Sequence, residues 1–425
     1  MPFAQATGDP RPVTGGGSRS AAGPDVGYDG PMRPRPMLVL IGLLALSLNL
    51  RGPLSAYPPL LGDVREGLGL AAGTAGAVQT GAILAMAVGS LVGARIGAAL
   101  GSTRALGASV GLVALGSALR GVPATVPLAL GTILIGLGIG ISGVLLTSVV
   151  KDRLADRAAA VSGAYVVAMM AGSTIVSAVA VPLAVGLGGW SFSLAIWAVP
   201  ALVAVAVWSV IMRGDPPARA QVPTRLPWRD RFARLASTYQ AGVSLTVYGS
   251  LTWIAATYVD RGWSPASAGL LIAVWSIAQL PAALVMPWLA ERTGRIRPWA
   301  LVVAACTVVG VLGMILWPEP PLVDAWVWAA LIGFACGAGF PLNLGVIAWL
   351  APDAQAAAAT SGMALGVGYT VAGIGPLLMG VLVDLTEGYA AALCVLLGAA
   401  GLQLVATLAM GDVRRPSPAD PVPTR

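Results

Sequence analysis

The sequence predicts an all-α polytopic membrane protein in which twelve transmembrane helices form two pseudo-symmetric six-helix halves. Three observations carry this reading. Hydrophobic residues make up 57% of the 425 and charged residues only 10%, whereas a soluble domain has about a quarter of its residues charged. Apolar windows of about 20 residues, enough to cross roughly 30 Å of hydrocarbon at 1.5 Å per residue, recur twelve times along the chain. One long basic loop, 213–235, divides them six and six.

Taken in order, residues 1–36 mix Gly, Pro, Ser, Arg and Asp without an apolar stretch, and read as a disordered cytoplasmic tail rather than a cleaved signal peptide. The N-terminal half, 37–212, holds spans at 37–60, 73–95, 104–122, 125–150, 158–184 and 190–212. The linker 213–235 carries Arg213, Arg219, Arg225, Arg229, Arg231 and Arg234. The C-terminal half, 236–411, holds spans at 236–259, 265–290, 298–317, 323–350, 356–384 and 388–410, and a cytoplasmic tail, 412–425, follows. Most of the 55 glycines and 12 of the 32 prolines lie inside these runs, where neighbouring helices can re-satisfy freed backbone groups.

Charge fixes the expected orientation. With the N-terminus inside, about 21 Lys and Arg residues fall in cytoplasmic segments and three, Arg65, Arg120 and Arg261, fall outside. Both termini are then cytoplasmic, and the chain is a multi-pass protein of the cytoplasmic (inner) membrane. The net charge of +7 reflects this loop bias, so no nucleic-acid partner is expected. Cys306, Cys336 and Cys394 are odd in number, sit in apolar segments and lack CxxC spacing, which argues against a disulfide or zinc framework. There is no His, no membrane-centre carboxylate and no GxxxxGK[ST] loop, so no ATP hydrolysis, catalytic cluster, metal or cofactor is expected.

The halves resemble each other. Leu134-Ile135-Gly136, four residues before Gly140, matches Leu331-Ile332-Gly333 before Gly337, and Ser162-Gly163 matches Ser361-Gly362. Coinciding with the six-loop-six layout, these matches point to an internal duplication and to alternating access around a central site.

Within the spans, Arg51 is the charge that needs explaining, since an Arg at the centre of a membrane helix costs about 2.5–3.5 kcal/mol on insertion scales. It lies about 14 residues, or ~21 Å, beyond the start of span 1. Pro53 follows it, and the missing N–H and ring clash predict a bent or broken helix beside Arg51. The acidic residues Asp63, Glu66, Asp260, Asp324, Asp384 and Glu387 fall at outer helix ends, and Asp152, Asp156, Glu291 and Asp353 at inner ones. A guanidinium without a fixed counter-ion offers a planar fork to a small anion or polarised group. The alternative is a structural Arg in a salt bridge, or one snorkelling to the interface.

Further candidates to contact a substrate are Asn49, Tyr57, Tyr165, Tyr248, Trp253, Gln279, Asn343 and Tyr369, with Gln79 and Trp275 beside them, because buried polar groups need hydrogen-bond partners. Each has a structural alternative. Tyr57, Trp253 and Trp275 suit an interfacial belt, while Asn49 and Asn343 could bond across helices to hold the bundle. Gating candidates are Lys151 and Arg153 at the inner end of span 4, and Glu291, Arg292 and Arg295 after span 8, as charges that pair in one conformation and part in another.

The run Leu48-Asn49-Leu50-Arg51-Gly52-Pro53, followed by Pro59-Leu60-Leu61, resembles the opening of helix 1 in the cyanate and 2-nitroimidazole transporter family of the major facilitator superfamily. Gly136-Leu137-Gly138-Ile139-Gly140 leading to Val149-Val150-Lys151 resembles that family's helix 4. Cys336-Gly337-Ala338-Gly339-Phe340-Pro341-Leu342 resembles its helix 10, and Ala372-Gly373-Ile374-Gly375-Pro376 its helix 11. Two departures stand out. Gly52 separates Arg51 from Pro53, and the loop after span 2, Gly93-Ala94-Arg95 through Gly101-Ser102-Thr103-Arg104, lacks the superfamily's acidic residue. The resemblance implies the major facilitator fold and secondary active transport of a small anionic or polar organic solute, cyanate- or nitroimidazole-like. A multidrug efflux carrier and a channel are the alternatives. The expected partners are a small-molecule substrate and the lipid bilayer, and the expected state is a monomer.

Overall fold

The computed structural model describes residues 36–70, 72–213, 225–320 and 324–411. The expected N-terminal tail up to residue 35, residues 214–224 of the linker and the C-terminal tail lie outside the described residues.

Every described element is helical. The first span is α1 (Pro36–Ser55), which a 3-10 turn at Pro58–Leu60 joins to the short α2 (Leu61–Leu68). Then come α3 (Ala72–Leu100), α4 (Ser102–Leu119), α5 (Thr125–Arg153) and α6 (Ala158–Leu187). The sixth span is split into α7 (Trp190–Ala195) and α8 (Ala198–Ile211). After the linker follow α9 (Arg231–Asp260), α10 (Pro265–Thr293), α11 (Arg297–Leu316), α12 (Trp326–Leu350), α13 (Ala354–Thr386) and α14 (Tyr389–Met410). Eleven of the resulting twelve spans are long and apolar enough to cross a membrane.

The exception is α9. Its 30 residues are ample, but Ser237, Thr238, Tyr239, Gln240, Ser244, Thr246, Tyr248, Ser250 and Thr252 follow one another along it. Most of these groups are kept inside the protein, with Gln240, Thr246 and Ser250 at most 1% exposed, while Thr252 is exposed. Elsewhere the outward faces are oily, as with Val199, Leu202, Val203 and Val210 on α8 or Leu377, Val381 and Leu385 on α13. Such faces suit lipid tails.

The two halves repeat one packing plan. In the first, α5 packs on α3 and α4, α1 on α6 and α8, and α4 on α8; in the second, α12 packs on α10 and α11, α9 on α13 and α14, and α11 on α14. The glycines of the sequence repeat occupy matching close approaches. A Cβ on Gly136 or Gly140 would sit 2.3 or 2.2 Å from the carbonyl oxygens of Ala82 and Met86 on α3. On Gly333 or Gly337 it would sit 2.2 or 2.3 Å from those of Trp275 and Gln279 on α10. Small residues let membrane helices approach this closely.

The other repeated pair joins the halves to each other. Gly163 of α6 meets Ala283 of α10, and Gly362 of α13 meets Ser90 of α3, with a Cβ 2.3 and 2.8 Å from the facing carbonyls. Both contacts lie toward the end of the bundle that carries Lys151, Glu291 and the linker arginines, here termed the basic end.

Candidate functional site

Arg51 sits on α1 just before Pro53, which the helix incorporates before ending at Ser55. The expected break therefore comes two residues beyond the proline. The turn that follows is tightened: the Tyr57 N–H bonds to the Leu54 carbonyl rather than to that of Pro53. The Pro53 carbonyl instead accepts from Nη1 of Arg120 at 2.7 Å. Gly52 and Gly172 hold α1 against α6; a Cβ on Gly172 would lie only 1.9 Å from the Leu48 carbonyl oxygen. The hydroxyls of Ser55 and Ser173 bond across the same seam.

So held, Arg51 reaches into a cavity between the halves. Its Nη2 donates to the hydroxyl of Tyr248 on α9 at 3.0 Å. The cavity encloses ≈ 480 Å³, its open mouth included, and its polar lining is Arg51, Ser244, Tyr248, Gln279 and Tyr369. Val166, Met169, Met170, Val247, Cys336 and Phe340 supply the apolar wall. Among the described residues Arg51 has no carboxylate partner. One fixed positive charge therefore faces an otherwise neutral chamber.

Four of the expected substrate contacts thus meet in one place: Arg51, Tyr248, Gln279 and Tyr369. Tyr165 is buried, 1% exposed, but does not line the chamber. The remaining candidates are engaged elsewhere. Asn49 donates to Ala45 of its own helix at 2.9 Å. Tyr57 packs at the end opposite the basic one, with the Arg120 guanidinium 5.7 Å over its ring. Trp253 donates to the Pro376 carbonyl at 3.1 Å. Asn343 ties α12 to α9 by bonds to the Ala236 carbonyl and the Gln240 side chain, at 3.1 and 3.0 Å. Gln79 is half-buried on α3, and Trp275 is core.

Ser244, Cys336 and Phe340 were not singled out as substrate contacts, although Cys336 and Phe340 lie in the run that resembles the family's helix 10. Their signal was helical spacing: Ser244 lies one turn before Tyr248, and Cys336 one turn before Phe340, so each pair shares a face. Arg120, expected in an outer loop, is instead fully buried.

At the basic end, two of the gating candidates cross between halves, each onto a helix terminus. Oε2 of Glu291, on α10, accepts from the Ala160 N–H at 3.1 Å, in the first turn of α6, whose N-cap Arg157 provides no side-chain bond. Nζ of Lys151, on α5, donates at 3.4 Å to the Trp349 carbonyl in the last turn of α12. Acid at an N-terminus and base at a C-terminus both match the helix dipole. Arg153 pairs with its neighbour Asp152 at 2.7 Å. Arg292 stacks 5.2 Å over Trp288, and Arg295 is exposed.

The sequence pattern of the Major Facilitator Superfamily matches residues 39–320 and 236–425. The chain belongs to the Major Facilitator Superfamily. It is 32% identical over 352 residues to the 2-nitroimidazole transporter of Escherichia coli (strain K12), spanning 82% of this chain and 88% of that protein. It is 30% identical over 392 residues to the cyanate transport protein CynX of the same organism, spanning 89% and 98%. Among solved structures it is similar to the superfamily transporter FucP in its outward conformation, with a TM-score of 0.69 at 14% identity, covering 88% of this chain and 98% of that one. The superfamily fold accounts for the matching helix packing in the two halves, and as a superfamily transporter the chain sits in a lipid bilayer and moves a small molecule.

Proposed function

We propose that this chain is a secondary active carrier that moves a small anionic or polar organic solute across the cytoplasmic membrane, by rocking its two halves around the Arg51 chamber. The observation that carries the reading is a guanidinium two residues before a proline in α1, facing a chamber between the halves, with a phenol as its side-chain partner and, among the described residues, no carboxylate. The similarity to cyanate and 2-nitroimidazole transporters supports a solute of that size and polarity. The contacts between the halves at the basic end support a conformation closed at that face. Under the charge bias of the loops that face is the cytoplasmic one, and both chain ends lie on it.

The test is a thermal-shift screen of the purified protein against small anions and nitrogen heterocycles, run beside Arg51→Ala. A ligand at 100 times its dissociation constant adds about 2.7 kcal/mol to apparent stability. The expected result is a rise in midpoint for the wild type that vanishes in the variant, whose ligand-free midpoint stays close to wild type. Shifts that survive the substitution would move the site away from Arg51.

A further inference from the structure

We infer that the carrier works as an electroneutral exchanger of monovalent anions, because its chamber is charge-balanced only when it is loaded. The inference rests on Arg51 as the anion anchor and adds what that anchor does to the transport cycle. The polar lining sums to one fixed positive charge from Arg51 and none from Ser244, Tyr248, Gln279 and Tyr369. No acidic residue lies in the interior of any span. The phenol of Tyr248 gives Arg51 a hydrogen bond across the two halves at 3.0 Å but no countercharge.

To turn over, the bundle passes through a state sealed at both ends. The basic end is already packed by Gly163 on Ala283 and Gly362 on Ser90, and sealing the other end as well takes Arg51 out of reach of bulk water. Empty, the sealed chamber holds an uncompensated guanidinium, and a buried charge without a partner is strongly disfavoured. Holding a monovalent anion, it is neutral. On insertion scales an Arg at a helix centre costs the equivalent of on the order of 100-fold in population. The empty return step also moves a charge through the membrane field, whereas the loaded step moves none.

A proton cannot stand in for the anion within the chamber. Arg51 does not release its proton, the chamber lining holds no carboxylate, and the chain has no His. The countercharge for the return step is then a second anion. Each transported anion is exchanged for another, and the empty carrier returns slowly.

The experiment uses the full chain reconstituted in liposomes, with cyanate, nitrate and acetate as probes. Uptake is compared between vesicles loaded with the same anion and vesicles without it, at several imposed potassium diffusion potentials and pH gradients, while thermal shifts report binding in parallel. Counter-loaded uptake should exceed net uptake at least tenfold and be insensitive to potential and pH gradient. Net uptake should be slow and potential-dependent. Tyr248→Phe removes the guanidinium's side-chain partner from the empty state, so the ratio of exchange to net uptake should rise further. Equal exchange and net rates in a protein that binds the probes through Arg51, or uptake driven by a pH gradient, would overturn the exchange mode and leave the anchor standing. No binding by any of the three anions would remove the anchor, and the exchange mode with it.

Discussion

Arg120 lies at the end of α4 opposite the basic one, with Nη1 on the Pro53 carbonyl at 2.7 Å and its Nε and Nη2 buried without partners. Among the described residues it is a second buried guanidinium without a carboxylate, but its surroundings are closed whereas those of Arg51 open onto a chamber. Two effects oppose each other when it is replaced. Losing a charged donor leaves the Pro53 carbonyl unsatisfied, about 1–3 kcal/mol, while removing a poorly partnered buried charge relieves a desolvation cost of similar size. Arg120→Met keeps the volume, so the two should cancel to within about 1 kcal/mol. Arg120→Ala adds a cavity and should cost roughly 2–4 kcal/mol more. Thermal unfolding in detergent distinguishes them, and a large loss in the Met variant would mean that the bond outweighs desolvation. None of this could be read from the sequence, because loop and buried helix end look alike where Gly121 and Pro123 follow at once. Arg51 could be read, since a charge midway along an apolar run has few explanations.

The helices were legible as apolar runs, and their interruptions were legible in part. The split between α7 and α8 was not expected, yet Pro200 stands in the first turn of α8 and has no N–H to donate to the Ile196 carbonyl, which accepts from the Val199 N–H instead. The early start of α9 was missed for a different reason. Asp230 caps it by accepting from the Ala233 N–H at 2.8 Å, a local bond that an apolar-window search does not register. The glycine repeat was visible as letters; that its members divide into two kinds of contact was not. This division predicts different consequences. Gly140→Ala drives a methyl into the Met86 carbonyl within one half and should lower thermal stability by about 1–3 kcal/mol. Gly163→Ala drives one into Ala283 across the halves, where the halves can part, so its stability should change little while the basic end opens. The native thiol of Cys336, which lines the chamber, reports that opening: with Cys306 and Cys394 replaced by Ser, maleimide should reach it faster from the basic face in Gly163→Ala. An unchanged labelling rate would mean that the contact does not control closure.

Across the whole molecule, closure at the basic end is unequal in its two arms. The first turn of α6 takes its acid from Glu291 in the other half, whereas α13 is capped by its own Asp353, which accepts from the Ala356 N–H at 2.7 Å. The loss of the acidic residue from the loop after α3 was visible in the sequence; its structural counterpart, a cap within α13 itself, was not. Glu291→Ala should weaken closure by about 1–2 kcal/mol, the range for a charge at a partly buried helix end, and so raise Cys336 labelling from the basic face roughly five- to thirtyfold. Equal labelling would assign closure to the packing alone.

The polarity of α9 bears on how the chain is made. Its hydroxyls and amides are hidden chiefly by α13 and α14, which leave the ribosome more than a hundred residues later. Until they emerge, this segment is a poor match for lipid and has reason to linger at the insertion machinery or slip back out. Assembly of the second bundle therefore waits for its final two members, and a nascent chain cut short before α13 would hold its seventh crossing only loosely.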